Sequence, residues 1–183
     1  MSQPSVLVPL AEGFEELEAI TIIDLLRRAE IEVVVAGLKP GPVRASRKTV
    51  HLADMTLDEA LQREYEMVVL PGGLPGADHL NADPRIHQLL KKMAAAGRYT
   101  AAICAAPKVL ADAGLLEGRE ATCYPGVLQP SQARLIEGVS VVTDGKVVTS
   151  RGPGTAMDFA LELIALLLGE ERREQVEAPL VRQ

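Results

Sequence analysis

The chain has 183 residues, 48% of them hydrophobic, which is enough to build one domain over residues 1–183 without disulfide or metal support. Its 19 basic and 25 acidic residues give a net charge of -6, and no Lys/Arg cluster occurs. Nucleic acids and anionic membranes are therefore not expected partners. The apolar run Val6–Ala11 is too short for a signal peptide or a membrane span, which predicts a cytoplasmic protein.

The first part of the chain predicts a β-α-β unit. Val6–Leu10 has the composition of a buried strand, Glu15–Ala29 that of an amphipathic helix, and Ile31–Ala36 that of a second strand. This order of elements predicts a parallel sheet. The apolar residues expected on one face of the helix are Leu17, Ile20, Leu25 and Ala29.

Further strands and helices alternate along the rest of the chain, which predicts a doubly wound, mostly parallel α/β sandwich. The tail, from Glu170 to Gln183, is predicted to pack back on the domain through Ala178–Val181. The remaining predicted elements are a small hairpin (Val43–Ala45 and Thr49–Leu52), a short helix (Leu57–Leu61), a buried strand (Met67–Leu70), a helix (Asp83–Ala96), a strand (Thr100–Ile103), a short strand (Ala121–Tyr124), a hairpin (Val139–Thr143 and Lys146–Ser150) and a buried helix (Thr155–Leu168).

Cys104 follows the predicted strand directly and precedes a helix that begins near Pro107, which is the arrangement of a nucleophile elbow. The N–H groups at the start of that helix are expected to lower the pKa of the thiol and favour the reactive thiolate. The alternative is a buried structural cysteine, since free cysteine often packs as a small hydrophobic residue. Cys123 is predicted to be an ordinary thiol, and no metal-ligand spacing links the cysteines to the histidines.

Two other features are expected at the same edge of the sheet, where doubly wound folds bind ligands. Gly72 and Gly73 follow the strand Met67–Leu70, and their N–H groups could stabilise an oxyanion, although an ordinary turn has the same composition. Glutamates begin the first helix, and acidic residues at that position also simply complement the helix dipole.

Six segments together resemble the ThiJ/PfpI superfamily, within the branch of the parkinsonism-associated protein deglycase and the bacterial YajL-type proteins, over nearly the whole chain. The resemblance implies a flavodoxin-like fold that forms a homodimer. The segments are Ala11-Glu-Gly-Phe-Glu-Glu-Leu-Glu18, Val34-Val-Ala-Gly-Leu38, Val69-Leu-Pro-Gly-Gly73, Ala101-Ala-Ile-Cys-Ala105, Thr149-Ser-Arg-Gly-Pro-Gly-Thr155 and Val176-Glu-Ala-Pro-Leu-Val181.

The resemblance also assigns roles to single residues of this chain. It implies that Cys104 is the reactive, oxidisable cysteine, that Glu18 hydrogen-bonds it, and that the backbone amides of Gly73 and Ala105 face the site. The arginines that match positions near the site or at the dimer interface are Arg28, Arg47 and Arg151. Gly72 and Tyr124 are two further supporting residues of the predicted site. Tyr124 stands where some members carry a histidine, so a Cys–His pair is not expected and Glu18 is the evident acid/base partner.

The family's activities leave two hypotheses open for this chain. The first is a cofactor-free glyoxalase or protein deglycase that acts on methylglyoxal-type α-oxoaldehydes or on glycated protein groups, through a thiohemiacetal on Cys104. The second is a redox-sensing chaperone in which Cys104 is oxidised to the sulfinate. Both use the same cysteine, so the sequence does not separate them.

Overall fold

The computed structural model describes residues 3–182; Met1, Ser2 and Gln183, which the predicted domain and tail include, lie outside the described residues. The strands are β1 (Ser5–Leu10), β2 (Glu32–Gly37), β3 (Pro42–Arg44), β4 (Val50–Leu52), β5 (Met55–Thr56), β6 (Met67–Leu70), β7 (Tyr99–Ile103), β8 (Glu120–Ala121), β9 (Arg134–Leu135), β10 (Val141–Asp144) and β11 (Val147–Ser150). The helices are α1 (Glu16–Arg28), α2 (Leu57–Ala60), α3 (Gly76–Ala82), α4 (Pro84–Ala95), α5 (Pro107–Asp112), α6 (Ala156–Leu168) and α7 (Glu170–Glu177), with 3₁₀ turns at Pro153–Thr155 and Ala178–Leu180.

Seven strands form the central sheet in the order β10-β11-β7-β6-β1-β2-β5. Every neighbouring pair is parallel except β10 with β11, which is an antiparallel hairpin at one edge. The predicted fold class, a mostly parallel flavodoxin-like α/β sheet, is confirmed. The chain leaves β1 toward β2 on one side and returns to β6 on the other, so the switch point lies between β1 and β6.

The core lies on both faces of this sheet, since successive side chains of a strand point to opposite faces. Val6 and Val8 of β1 belong to the cluster that includes the buried residues of α1 and α6, whereas Leu7 belongs to the cluster with α2 to α5. The longest helices of the described part, α1 and α6, have 13 residues each. No helix within residues 3–182 is long and apolar enough to cross a membrane.

The predicted buried face of α1 is partly wrong. Leu17 and Ile20 are 52% and 41% exposed, whereas Glu18 and Ile22 are fully buried together with Leu25. The reason is helical geometry: a turn of 100° per residue places positions 18, 22 and 25 on one face and positions 17 and 20 on the other. The exposed apolar side chains of α1 therefore remain available for contacts outside this chain.

Three smaller expectations also differ from the structure. The helix α3 was not predicted, because its glycine and proline neighbours indicate a turn. The predicted strand Ala121–Tyr124 is limited to β8, because the N–H group of Thr122 donates to the Thr149 hydroxyl (2.9 Å) and that of Tyr124 to a loop carbonyl. In the tail Leu180 packs on the core, but Val181 is 86% exposed.

Candidate active site

Cys104 occupies the turn between β7 and α5, in the arrangement expected of a nucleophile elbow. Its φ of 65° lies in the left-handed region, which is strained for a residue with a side chain and is typical of functional turns. The backbone fixes this conformation on both sides: the Cys104 N–H donates to the carbonyl of Ser150 (3.0 Å), and its carbonyl accepts from Tyr124 (2.9 Å). The residue is only 8% exposed.

Glu18 reaches the elbow from the first turns of α1 and is fully buried. Its carboxyl group is hydrogen-bonded to the Cys104 thiol, and its Oε2 accepts the N–H of Gly72 at 2.8 Å. Within the described residues its Oε1 has no hydrogen-bond partner. A buried acid with an unpaired oxygen beside a thiol can hold a proton for that thiol or for a bound substrate.

Burial and mutual charge dominate the acid–base properties of this pair. Burial raises the pKa of Glu18 to about 7, against the hydrogen bonds from Cys104 and Gly72. Burial, followed by the charge and hydrogen bond of Glu18, raises the pKa of Cys104 to about 12. The expectation of a lowered pKa is wrong, because burial and Glu18 outweigh the backbone N–H groups that favour the thiolate.

The high pKa of Cys104 applies to a thiol whose neighbour is already a carboxylate. When two such groups interact strongly, their titration belongs to the pair, and the thiolate forms most readily by passing its proton to Glu18. The pair then loses its first proton near the pKa of about 7 that burial gives to Glu18. Glu18 is therefore placed to act as the general base for Cys104 at neutral pH.

Two backbone amides beside Cys104 act against the effect of burial. The N–H groups of Gly73 and Ala105 interact with the thiol and oppose the rise in its pKa. These are the two positions whose amides, by the family resemblance, are expected to face the site. Donors fixed in this way can stabilise negative charge on the sulfur, or on an oxygen that forms next to it. Gly72 differs from the expectation, because its N–H is already bonded to Glu18.

The turn at Gly72 and Gly73 requires glycine for steric reasons. A Cβ on Gly72 would lie 2.7 Å from the Cβ of Cys104 and 2.7 Å from Oε2 of Glu18. A Cβ on Gly73, whose φ is 89°, would lie 2.3 Å from the backbone nitrogen of Glu15. The turn thus packs tightly between the elbow and the start of α1. This packing fixes the distance between the Cys104 thiol and the Glu18 carboxyl group.

The start of α1 is fixed by hydrogen bonds to the β3–β4 hairpin. Glu16 accepts from the Thr49 hydroxyl (3.0 Å) and from the N–H of Arg47 (3.0 Å), and Ser46 donates to Glu15 (3.1 Å). These contacts explain why only one of the three glutamates reaches the thiol. Glu15 and Glu16 hold the helix in place, and Glu18 faces inward.

The supporting residues lie at different distances from the thiol. Tyr124 is 52% exposed and contacts the elbow through its backbone N–H. Arg28, at the far end of α1, is paired with Asp24, and ten residues of helix separate it from Glu18. The side chain of Arg47 is exposed, and Arg151 is exposed beside a cavity of about 230 Å³ that also contains Cys123. Within one chain, the structure does not bring Arg28 to Cys104.

Sequence reasoning missed Gly13, which packs behind the glycine turn; Gly76, which follows the same strand, was expected to allow close backbone approach. A Cβ on Gly13, whose φ is 84°, would lie 2.4 Å from Pro75, and one on Gly76 would lie 2.6 Å from Phe14. The signal for Gly13 was a glycine three residues before the start of α1. Across residues 3–182, no group of three or more His, Cys, Asp or Glu side chains could hold a metal ion.

The sequence of residues 4–166 matches the model of the DJ-1/PfpI family. The chain belongs to the DJ-1/PfpI family. It is 41% identical over 181 residues to the protein dj-1beta of Drosophila melanogaster, covering 97% of this chain and 96% of the relative. The crystal structure of Drosophila DJ-1beta superposes with a TM-score of 0.95 over 100% of both chains at 40% identity.

Two further relatives differ in how much of their length this chain covers. The protein named glutathione-independent glyoxalase DJR-1.2 of Caenorhabditis elegans is 34% identical over 186 residues, which cover 98% of this chain and 97% of that protein. The DJ-1 homolog B of Arabidopsis thaliana is 42% identical over 94% of this chain. This chain spans only 40% of the length of that plant protein.

Proposed function

We propose that this protein is a cysteine-dependent, cofactor-free glyoxalase and protein deglycase that acts on methylglyoxal-type α-oxoaldehydes and their adducts, in protection against stress. The observation that carries the proposal is the pairing of Cys104, strained in its elbow, with the buried carboxyl group of Glu18. The name of the nematode relative, a glutathione-independent glyoxalase, supports the choice of substrate class.

The proposed reaction begins with attack of the Cys104 sulfur on the aldehyde carbon of methylglyoxal, while its proton passes to Glu18. The oxygen of the resulting thiohemiacetal can accept hydrogen bonds from the amides of Gly73 and Ala105. Glu18 returns the thiol proton to this oxygen and is again a carboxylate. It then moves a proton from the former aldehyde carbon to the neighbouring carbon through an enediol, which gives a lactoyl thioester. Water hydrolyses this thioester to lactate and the free thiol, so the reaction is redox-neutral overall.

The pKa of Glu18 suits this role, because a group with a pKa of about 7 is present as both acid and base at neutral pH. Position 124 is a tyrosine and not a histidine, so Glu18 carries out the proton transfers in this mechanism. When methylglyoxal has reacted with a protein thiol or amine, the adduct is a hemithioacetal or a hemiaminal with the same carbon skeleton as methylglyoxal. Cys104 and Glu18 would also catalyse the hydrolysis of such adducts.

The test is conversion of methylglyoxal to lactate by the purified protein, without glutathione or added metal. We expect multiple turnovers for the wild type, none above background for Cys104→Ala, and nearly wild-type turnover for the matched control Cys123→Ala. Cys123 is suitable because it is the other free cysteine and its thiol lies outside the pair. Equal lactate formation by wild type and Cys104→Ala would exclude the proposal.

A second candidate function, a redox-sensing chaperone, is favoured by the unpaired Oε1 of Glu18 beside the thiol. A protonated Glu18 could donate a hydrogen bond to a sulfinate on Cys104 and so stop oxidation at that stage. Mild peroxide should then give the sulfinate on the Cys104 peptide of the wild type and a different product in Glu18→Leu. The same distribution of oxidised masses in both proteins would remove the argument for this function.

We also propose a homodimer formed through the exposed apolar side chains of α1 and the β3–β4 hairpin. Leu17 and Ile20 on α1 are about half exposed, and Val50 and Leu52 on β4 are 53% and 78% exposed. Arg28 lies on the same helical face as Leu17, because eleven residues correspond to about three turns. A location in the cytoplasm stays a prediction from the sequence.

A further inference from the structure

A second cavity opens at the carboxyl ends of β1 and β2. We call it the β1–β2 cavity. Its volume is about 550 Å³, within the range of small-molecule sites, and none of its lining residues belongs to the thiol site. The lining is largely apolar and includes Leu10, Ala11, Leu38, Pro42, Val43 and Ala82. It lies beside the switch point of the sheet, the usual location of ligands in this architecture.

A network of hydrogen bonds around Arg85 fixes one wall of the β1–β2 cavity. The guanidinium group donates to the carbonyl of Leu38 (2.9 Å), to Asp83 (2.6 Å) and to Asp58 (2.8 Å). The Arg85 N–H also donates to Asp83 (2.9 Å). The charge of Arg85 is thus fully engaged by Asp83 and Asp58, and this wall is preorganised.

The remaining polar groups of the cavity are Lys39, His79 and Glu12. Lys39 is exposed and has no ion-pair partner within residues 3–182. Nδ1 of His79 lies 2.8 Å from the Glu12 carbonyl oxygen, so it carries the hydrogen. The carboxylate of Glu12 accepts the N–H of Arg44 at 3.3 Å. Lys39 therefore remains the one cation of the lining available to an anion.

We propose that the β1–β2 cavity binds a small molecule with an apolar body and a single carboxylate. The apolar body would lie against Leu38 and the side chains from β1, β3 and α3, and the carboxylate would pair with Lys39 at the rim. This goes beyond the proposed function, since it requires neither Cys104 nor Glu18.

Octanoate is a suitable probe, with octylamine as the length-matched cation. Titration followed by calorimetry and by ¹H–¹⁵N NMR should give saturable binding of one octanoate per chain, with amide shifts concentrated at residues 38–43 and 79–85. Octylamine should bind about tenfold more weakly or not at all. Saturable octanoate binding should persist in Cys104→Ala, which separates this result from the fate of the proposed enzyme activity.

Paired variants complete the test. Ala82→Phe should fill the cavity and abolish binding, whereas Ala95→Phe, also at an exposed alanine but on α4 outside the cavity, should not. Lys39→Glu should weaken octanoate binding about tenfold, since it replaces attraction by repulsion at an exposed site, and Lys91→Glu should leave it unchanged. Absence of saturable binding, equal affinity for octylamine, or octanoate binding that survives both Ala82→Phe and Lys39→Glu would overturn the proposal.

Discussion

Replacing Gly72 with alanine should separate the two members of the reactive pair. The added Cβ would lie 2.7 Å from the Cβ of Cys104, 2.7 Å from Oε2 of Glu18 and 2.8 Å from the carbonyl oxygen of Ile103. Ordinary carbon contacts are about 3.5–4.0 Å, so the neighbours must move by about 1 Å. All three are buried, and a backbone oxygen is among them, so no flexible side chain can absorb the shift.

Such overpacking costs about 1–3 kcal/mol, which lowers the melting temperature of a chain of this size by about 2–12 °C. A displacement of about 1 Å at reacting groups can also reduce the rate about 100-fold. The assays are thermal unfolding and lactate formation from methylglyoxal. Gly154→Ala is the matched control, because its Cβ meets nothing within 4 Å. If Gly72→Ala has the melting temperature and rate of Gly154→Ala, the steric argument is wrong.

Three further predictions concern the thiol pair and the exposed helix face. The alkylation rate of Cys104 should rise with an apparent midpoint near pH 7, and this midpoint should increase in Glu18→Leu, because burial remains and the proton acceptor is lost. The free energy of unfolding of the wild type, minus that of Glu18→Gln, should depend on pH. This difference should fall by on the order of 3 kcal/mol as the pH rises from about 4.5 to above 7. Leu17→Glu should shift the sedimentation of the protein from dimer to monomer at micromolar concentration.

Controls exist for each of these three predictions. Peptide masses separate alkylation of Cys104 from that of Cys123, and equal midpoints for wild type and Glu18→Leu would contradict the coupling. For unfolding, the sign follows from a folded-state pKa that is raised above 4.5: stability is present at low pH and lost as the pH approaches 7. A constant difference between pH 5 and 8 would contradict burial of the acid. Val139→Glu, at another exposed apolar position, should remain a dimer; a wild-type monomer would exclude the interface.

Much of the fold could be predicted because its central strands are short apolar runs. The prediction for β6 matches the observed strand at both ends, and β1 and β7 each begin one residue before the predicted strand. The helix α3 could not be predicted in this way, since Pro75 and Gly76 at its start have the composition of a turn.

The candidate site was predictable in its location but not in its electrostatics. A cysteine between a strand and a proline-led helix indicates an elbow from local sequence alone. Which of three glutamates faces that cysteine depends on how α1 rotates against the sheet, and the residue pattern placed two exposed side chains, Leu17 and Ile20, on the buried face. The pKa of Cys104 depends on burial and on Glu18, which is distant in sequence, so local dipole arguments gave the wrong sign.

The most direct measurement of the Cys104–Glu18 mechanism is the pH dependence of kcat/KM for lactate formation in wild type and Glu18→Gln. The account predicts that the wild-type value rises through about pH 7, as the pair loses its first proton. Glu18→Gln should be about 10²–10⁴-fold slower and lack this rise, which is the usual loss for a general acid–base. A Glu18→Gln protein with the wild-type rate and profile would contradict the mechanism.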